Sequence, residues 1–358
     1  MRLAYAWRLG VSAPWASVIA SAFTAAALAA VAARTYGPSA GAAAAFLWAV
    51  LPAAVVASVF RPAVTYAACA GALSLYFFGE GAPRRRYRID LFRAGAFAAA
   101  AAAFCSSAVA LAAFYFLYSI YKTLRKAGPK ARAFAWLGGF VPVIAAAAGL
   151  EYLRAGVPLA RLRETLAAPA HVYAETNLLV KRLAADGAAM LCWDPLGFGF
   201  SFVVALAASA YLLKERRAGT LFYGGLLVFA LASFNFITTS LEGYAPMPLE
   251  ATRWLLASLP AAVLAGGAFG ELWSRGGGAA LSGWAGALAT SAVLATLFID
   301  GNMPFAPLSL LTLALAVIIT GTLAGLGRRA PQTERLLARA AGAVIILISV
   351  YPLVILYL

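Results

Sequence analysis

Apolar runs of roughly twenty residues recur along this chain, divided by short charged loops, and they constrain its fold more than any other feature. As a helix, a run of that length reaches across a hydrocarbon core of about 30 Å. The runs continue to the last residue, Leu358, so no soluble domain is expected. The predicted architecture is all-α: one polytopic membrane bundle of about ten or eleven segments, covering 1–358, with an external amphipathic loop at 152–195.

Composition agrees. The chain is 64% hydrophobic and 11% charged, where soluble domains are about half apolar and a quarter charged. The net charge of +15 could suggest nucleic acid. The charges sit in short loops between spans, however, which assigns them to topology and anionic headgroups. Membrane lipids are therefore the expected partners, and nucleic acid is not. One histidine excludes a multi-histidine metal site, and Cys69, Cys105 and Cys192 form no C-x-x-C pair. The dominance of Ala, Arg, Gly and Leu fits a GC-rich, archaeal-type genome.

Taken in order, spans are expected at about 13–33, 41–60 and 62–79. Two basic clusters, Arg84–Arg93 and Lys122–Arg132, flank an apolar run at 94–121. That run is too long for one span and too short for two full ones, and a re-entrant pair keeps both clusters on one side. Further spans are expected at about 133–150, 196–213, 219–240, 253–272, 280–299, 305–327 and 337–358. Loop charges then alternate: Lys214, Arg216, Arg217, Arg275, Arg328 and Arg329 on one side, Glu242, Glu250 and Asp300 on the other. The positive-inside rule makes the basic side cytoplasmic and puts 152–195 and the N-terminus outside.

The stretch 152–195 is the long polar part of the chain, and it holds the sole histidine, His171. Pro158 and Pro169 bracket a surface helix at 159–168, and a second is expected from Glu175 to Met190. Glu175 and Asp186 share a face of it, three turns apart, with His171, Tyr173 and Asn177 close by in sequence. A metal- or sugar-handling loop built on Glu175 is one reading; two interfacial helices with solvated charges are the plainer one. Arg253 opens the later span at 253–272 and must snorkel, pair with Glu250, or hold an anion.

Three pieces resemble the membrane domain of the GT-C glycosyltransferases, and within them the STT3/AglB catalytic subunit of oligosaccharyltransferase. Ser12–Phe78 is similar in layout to the segment around that family's second acidic motif. Val172-Tyr173-Ala174-Glu175 is similar to its external Thr-Ile-x-Glu element, and Thr252-Arg253-Trp254 to its arginine-bearing helix. The resemblance implies a protein that handles a polyprenyl-phosphate-linked sugar at the outer face. Glu175 would be its catalytic loop glutamate, and Arg253, with His171 and Tyr173, would contact the substrate. A divalent metal is implied only if transfer occurs, and Arg61-Pro62-Ala63-Val64-Thr65 stands where the family needs carboxylates. That departure is in keeping with an inactive relative.

Two other classes compete. A transporter or a channel-like scaffold of an export or DNA-transfer apparatus requires a polar path through the bundle. A cysteine transpeptidase requires Cys69 beside Arg88 or Arg93, since Ala68-Cys69-Ala70-Gly71 is faintly similar to the Cys-Ser-Gly element of exosortases and archaeosortases.

Overall fold

A computed structural model describes residues 13–79, 87–125, 132–157, 219–236 and 254–275. All the regular structure among them is helical. In chain order the helices are α1 (Ala13–Tyr36), α2 (Pro38–Ala49), α3 (Pro52–Phe60), α4 (Pro62–Phe78), α5 (Tyr87–Phe104), α6 (Ala108–Leu124), α7 (Arg132–Ala155), α8 (Thr220–Phe236) and α9 (Ser258–Arg275), the last preceded by a 3-10 turn, Leu255–Ala257. The spans expected at 196–213, 280–299, 305–327 and 337–358 lie outside the described residues.

Proline sets three of the helix starts. Pro38, Pro52 and Pro62 occupy the first turns of α2, α3 and α4, where the missing N–H costs no bond. Pro52 also corrects the single span expected at 41–60, which is two helices bent by 55°. Inside a continuous helix its ring would clash with the Trp48 carbonyl and leave it unbonded. The chain breaks instead, and Leu51 N–H donates to that carbonyl at 3.2 Å.

Contacts between helices fix their directions. Near the end of α1, the Arg34 guanidinium donates to the Tyr76 carbonyl near the end of α4 at 3.3 Å. Near the start of α1, the Ser17 hydroxyl donates to the Ser58 carbonyl, just before α4 begins. Thus α1 and α4 run in parallel. Next, Arg132 Cζ lies 4.9 Å from the Phe78 ring and 5.5 Å from both the Tyr87 and Tyr118 rings. Tyr87 opens α5 and Tyr118 lies near the end of α6, so these two helices form a hairpin that reverses at Cys105–Ser107.

That hairpin corrects the expected length of the 94–121 run. Both helices continue into the charged flanks, and α5 and α6 have 18 and 17 residues, or about 27 and 26 Å. Each arm is close to the thickness of a hydrocarbon core. Helix α7 starts with α5 and runs alongside it. Helix α8 starts where α1 ends, with Thr220 Oγ1 3.0 Å from the Tyr36 hydroxyl. Helix α9 returns, and Ser39 Oγ donates to the Gly270 carbonyl at 3.2 Å.

One end of the bundle therefore gathers Arg34, Arg88, Arg93, Lys122, Arg125, Arg132 and Arg275, with Asp90 and Glu271 as its acids among the described residues. The far end carries Arg61, Arg154 and Glu151. By length and apolarity, two described helices can cross a membrane, Trp15–Tyr36 and Arg132–Ala155, or three if the bent pair α2–α3 counts as one.

Small residues let the helices approach. A methyl group on Gly95 would strike the Trp136 carbonyl, and one on Gly139 the Phe92 carbonyl, so α5 and α7 cross backbone to backbone. Gly266 and Gly270 of α9 meet Ala40 and Ala44 of α2 in the same way. For helices that cross a membrane, burying apolar surface brings little gain, and close packing of this kind is the main source of attraction between them.

Candidate functional site

The four residues singled out from the sequence, His171, Tyr173, Glu175 and Arg253, lie outside the described residues. What the structure gives is the position of the segments that lead to them. Helix α7 leaves the basic end at Arg132 and runs 24 residues to Ala155, about 36 Å. Helix α8 leaves the same end at Thr220, and some 21 Å on its Phe234 ring meets Trp254 edge-on at 5.8 Å. The chain entering 158–195 and the residue after Arg253 are thus both on the far side of the bundle from the basic end.

The segment after Arg253 departs from expectation. The span predicted at 253–272 does not begin as an α-helix. Trp254 stands in a turn, the 3-10 turn follows, and α9 starts at Ser258. This stretch is almost wholly enclosed: Trp254 is 3% exposed and Leu255 0%. Its local bonds explain the tight winding. Ala257 N–H donates to the Trp254 carbonyl at 2.8 Å, and Ser258 Oγ to the Leu255 carbonyl at 2.5 Å. Non-α backbone inside a helical bundle is tolerated where protein surrounds it. Leu256 and Leu259 close against Gly71 of α4, where a larger residue would meet the Leu259 side chain at 3.0 Å.

Other far-end features are modest. Arg61 is exposed at the α3–α4 junction. The Tyr66 and Phe104 rings lie 5.6 Å apart, which sets the hairpin tip beside the upper part of α4. Cys105 Sγ and Ser107 Oγ are 3.1 Å apart within that tip. Among the described residues no three His, Cys, Asp or Glu side chains converge on a point.

The basic end holds a feature that sequence reasoning missed. Arg132 was expected to be one more topology-setting cation. It is 4% exposed, with its guanidinium against the rings of Phe78, Tyr87 and Tyr118. At the first residue of α7 it opposes that helix's own dipole. Against this, it faces the C-terminal ends of α4 and α6, where positive charge is favoured. Behind it the Phe78, Tyr115 and Phe222 rings stack, Phe78 on Tyr115 at 4.3 Å and on Phe222 at 5.6 Å. The arrangement ties the ends of four helices through one cation.

Interior polar groups form short links. Trp48 Nε1 donates to Ser21 Oγ at 3.1 Å, and Thr35 Oγ1 lies 3.5 Å from the Tyr223 hydroxyl. Ser17, Ser21, Thr24 and Thr35 recur at helical spacing along α1, but buried Leu28 and Val31 interrupt the line. Among the described residues this reads as interhelix hydrogen bonding, not as a continuous polar path. Cys69 is half-buried in α4. Arg93 sits over Phe77, eight residues further along that helix and so about 12 Å from Cys69 along the axis. Arg88 is exposed one and a half turns earlier on α5. Neither arginine is within hydrogen-bond reach of the thiol.

Comparison of the chain with family models, with curated proteins and with solved structures finds no match.

Proposed function

We propose that the chain is a polytopic integral membrane protein of about ten or eleven spans, with its basic end in the cytoplasm. In this reading it binds a polyprenyl-phosphate-linked saccharide at its outer face, in the manner of a GT-C protein. The carrying observation is that the two segments leading to the candidate residues share the end opposite the basic cluster. One is the exit of α7 toward Glu175; the other is Trp254, next to Arg253. An anionic phosphate at membrane depth needs a cation, and a cation at that depth calls for matching negative charge; Arg253 is the arginine next in sequence to the enclosed Trp254.

Metal-dependent transfer is not part of the reading. A divalent ion needs several oxygen ligands, and at the far end the α3–α4 junction offers exposed Arg61 where carboxylates would be required. Glu175 then serves as a hydrogen-bond acceptor for sugar hydroxyls, with His171 and Tyr173 beside it in sequence.

The test is binding of a polyprenyl-phosphate-linked saccharide to the purified full chain, against the same polyprenol without phosphate and sugar. Selective retention is expected, with Arg253→Gln lowering affinity by at least about tenfold, the weight of one charge-assisted contact. Glu175→Gln should weaken the glycosylated lipid more than polyprenyl phosphate alone. Equal retention of the bare polyprenol would sink the proposal.

A further inference from the structure

At the basic end the cations are mounted on aromatic rings. Arg34 Cζ lies 4.3 Å from the Tyr76 ring centre, Arg93 Cζ 5.5 Å from that of Phe77, Lys122 Nζ 5.4 Å from that of Tyr118 and Arg125 Cζ 5.7 Å from that of Tyr121. Tyr76 and Phe77 touch edge-on at 5.1 Å, and Tyr118 and Tyr121 lie 6.2 Å apart. The four pairs thus form two clusters, one where α1, α4 and α5 meet and one on the last turns of α6. Arg34, Arg93 and Arg125 are exposed.

We propose that these two clusters bind the phosphate of anionic phospholipid headgroups in the cytoplasmic leaflet. A ring holds one face of each cation and limits its rotamers. Arg34 also donates to the Tyr76 carbonyl, and the exposed guanidiniums of Arg34, Arg93 and Arg125 each carry five N–H donors, more than these contacts use. Tyrosine at this level marks the interface between hydrocarbon and headgroup, and a cation above such a ring lies at headgroup depth. Among the described residues cations outnumber acids at this end: Asp90 lies 3.9 Å from Arg93, and Glu271 of α9 is the other described acid. A nucleic acid would meet the same charge, but it cannot follow cations laid around the rim of a helical bundle at the level of the lipid. The far end has no such ring-mounted pair among the described residues, which makes it an internal control.

The proposal rests on the membrane reading, and the two can fail separately. Extraction of the chain from membranes by alkaline carbonate would remove the membrane reading itself. With the full chain in vesicles of equal parts phosphatidylglycerol and phosphatidylcholine, spin-labelled lipids report which headgroup is held at the protein surface. A preference for phosphatidylglycerol that weakens with salt is expected. In the Arg34→Gln/Arg93→Gln/Lys122→Gln/Arg125→Gln variant it should fall by roughly tenfold or more, the weight of several interfacial cations. The Arg61→Gln/Arg154→Gln variant should keep it. If the fourfold variant does not fold, each pair is tested alone, and each must lower the preference. Equal association of the two lipids with the wild-type chain, an unchanged preference in the folded fourfold or paired variants, or displacement of phosphatidylglycerol by inorganic phosphate or polyuridylate at matched ionic strength would overturn the assignment.

Discussion

The α5–α7 crossing and the ring stack at the end of α4 hold one bundle by opposite means. At the crossing, Gly95 and Gly139 remove side chains altogether, so that Phe92 and Trp136 meet the facing helix through their carbonyls. At the stack the rings of Phe78, Tyr115 and Phe222 fill the space between helices, with buried Arg132 closing the end. The difference teaches where each kind of packing has an advantage. Deep between spans, dispersion grows with backbone proximity and favours small residues. Near the charged end, where loops must leave and cations must be held, large rings offer both volume and a polarisable face.

The sharpest way to break the comparison is to give the crossing a side chain. Gly138 and Gly139 are neighbours in α7 with opposite surroundings. A methyl on Gly139 collides with backbone atoms of Phe92 and Ala96, whereas on Gly138 it meets only a Phe92 ring carbon at 3.8 Å. Backbone cannot rotate away as a side chain can, so Gly139→Ala must push the helices apart, at a cost of about 3 kcal/mol or more. Gly138→Ala should instead stabilise by up to about 1 kcal/mol through helix propensity. Thermal unfolding of the two variants in the same detergent decides it. Equal midpoints would mean that the crossing does not depend on backbone contact.

A smaller effect is expected at the cation. Arg132→Gln removes a buried charge that three rings share, and a loss of about 1–3 kcal/mol is expected. Arg132→Lys should recover only part of it, because an ammonium cannot lie flat on a ring. The exposed pair of Arg34 and Tyr76 gives the scale for comparison: Arg34→Gln should cost less than about 1 kcal/mol. Unfolding midpoints that rank Arg34→Gln above Arg132→Gln in severity would show that burial adds nothing to the contact between Arg132 and its three rings.

Sequence reading reached this fold unevenly, for physical reasons. Apolar runs located α1, α4, α7 and α8 to within a few residues, because each is one unbroken helix with charge or a turn at its ends. The run 41–60 misled, since averaged hydropathy does not register the bond that Pro52 cannot make. In α5 and α6 the charged flanks Arg88–Arg93 and Lys122 look like loop in sequence, yet the helices run through them, and the charged groups of Arg93 and Lys122 lie over the Phe77 and Tyr118 rings. Arg132 looked like any loop cation because Phe78, Tyr87 and Tyr118, which enclose it, come from three other helices. Gly95 and Gly139 gave no signal among so many small residues; what singles them out is the partner each one meets. Glu175, His171, Tyr173 and Arg253 stand out in the sequence by charge and spacing, and the described segments that lead toward them share one end of the bundle.

The finest test separates two buried hydroxyls on one helix. Ser74 and Thr65 both lie in α4, 0% and 1% exposed. The Ser74 hydroxyl donates to the Ala94 carbonyl across the α4–α5 contact at 2.8 Å, while Thr65 Oγ1 has no hydrogen-bond partner among the described residues. An interhelix hydrogen bond within a membrane is worth about 0.6 kcal/mol, so Ser74→Ala should lower stability by roughly that amount. Thr65→Val keeps the shape of the side chain and removes an unsatisfied polar atom, which should be neutral or raise stability by up to about 1 kcal/mol. The two variants therefore shift the unfolding midpoint in opposite directions, or one not at all. A loss at Thr65→Val as large as that at Ser74→Ala would mean that the Thr65 hydroxyl is bonded, and that α4 is joined to its neighbours by polar links along more of its length than at Ser74 alone.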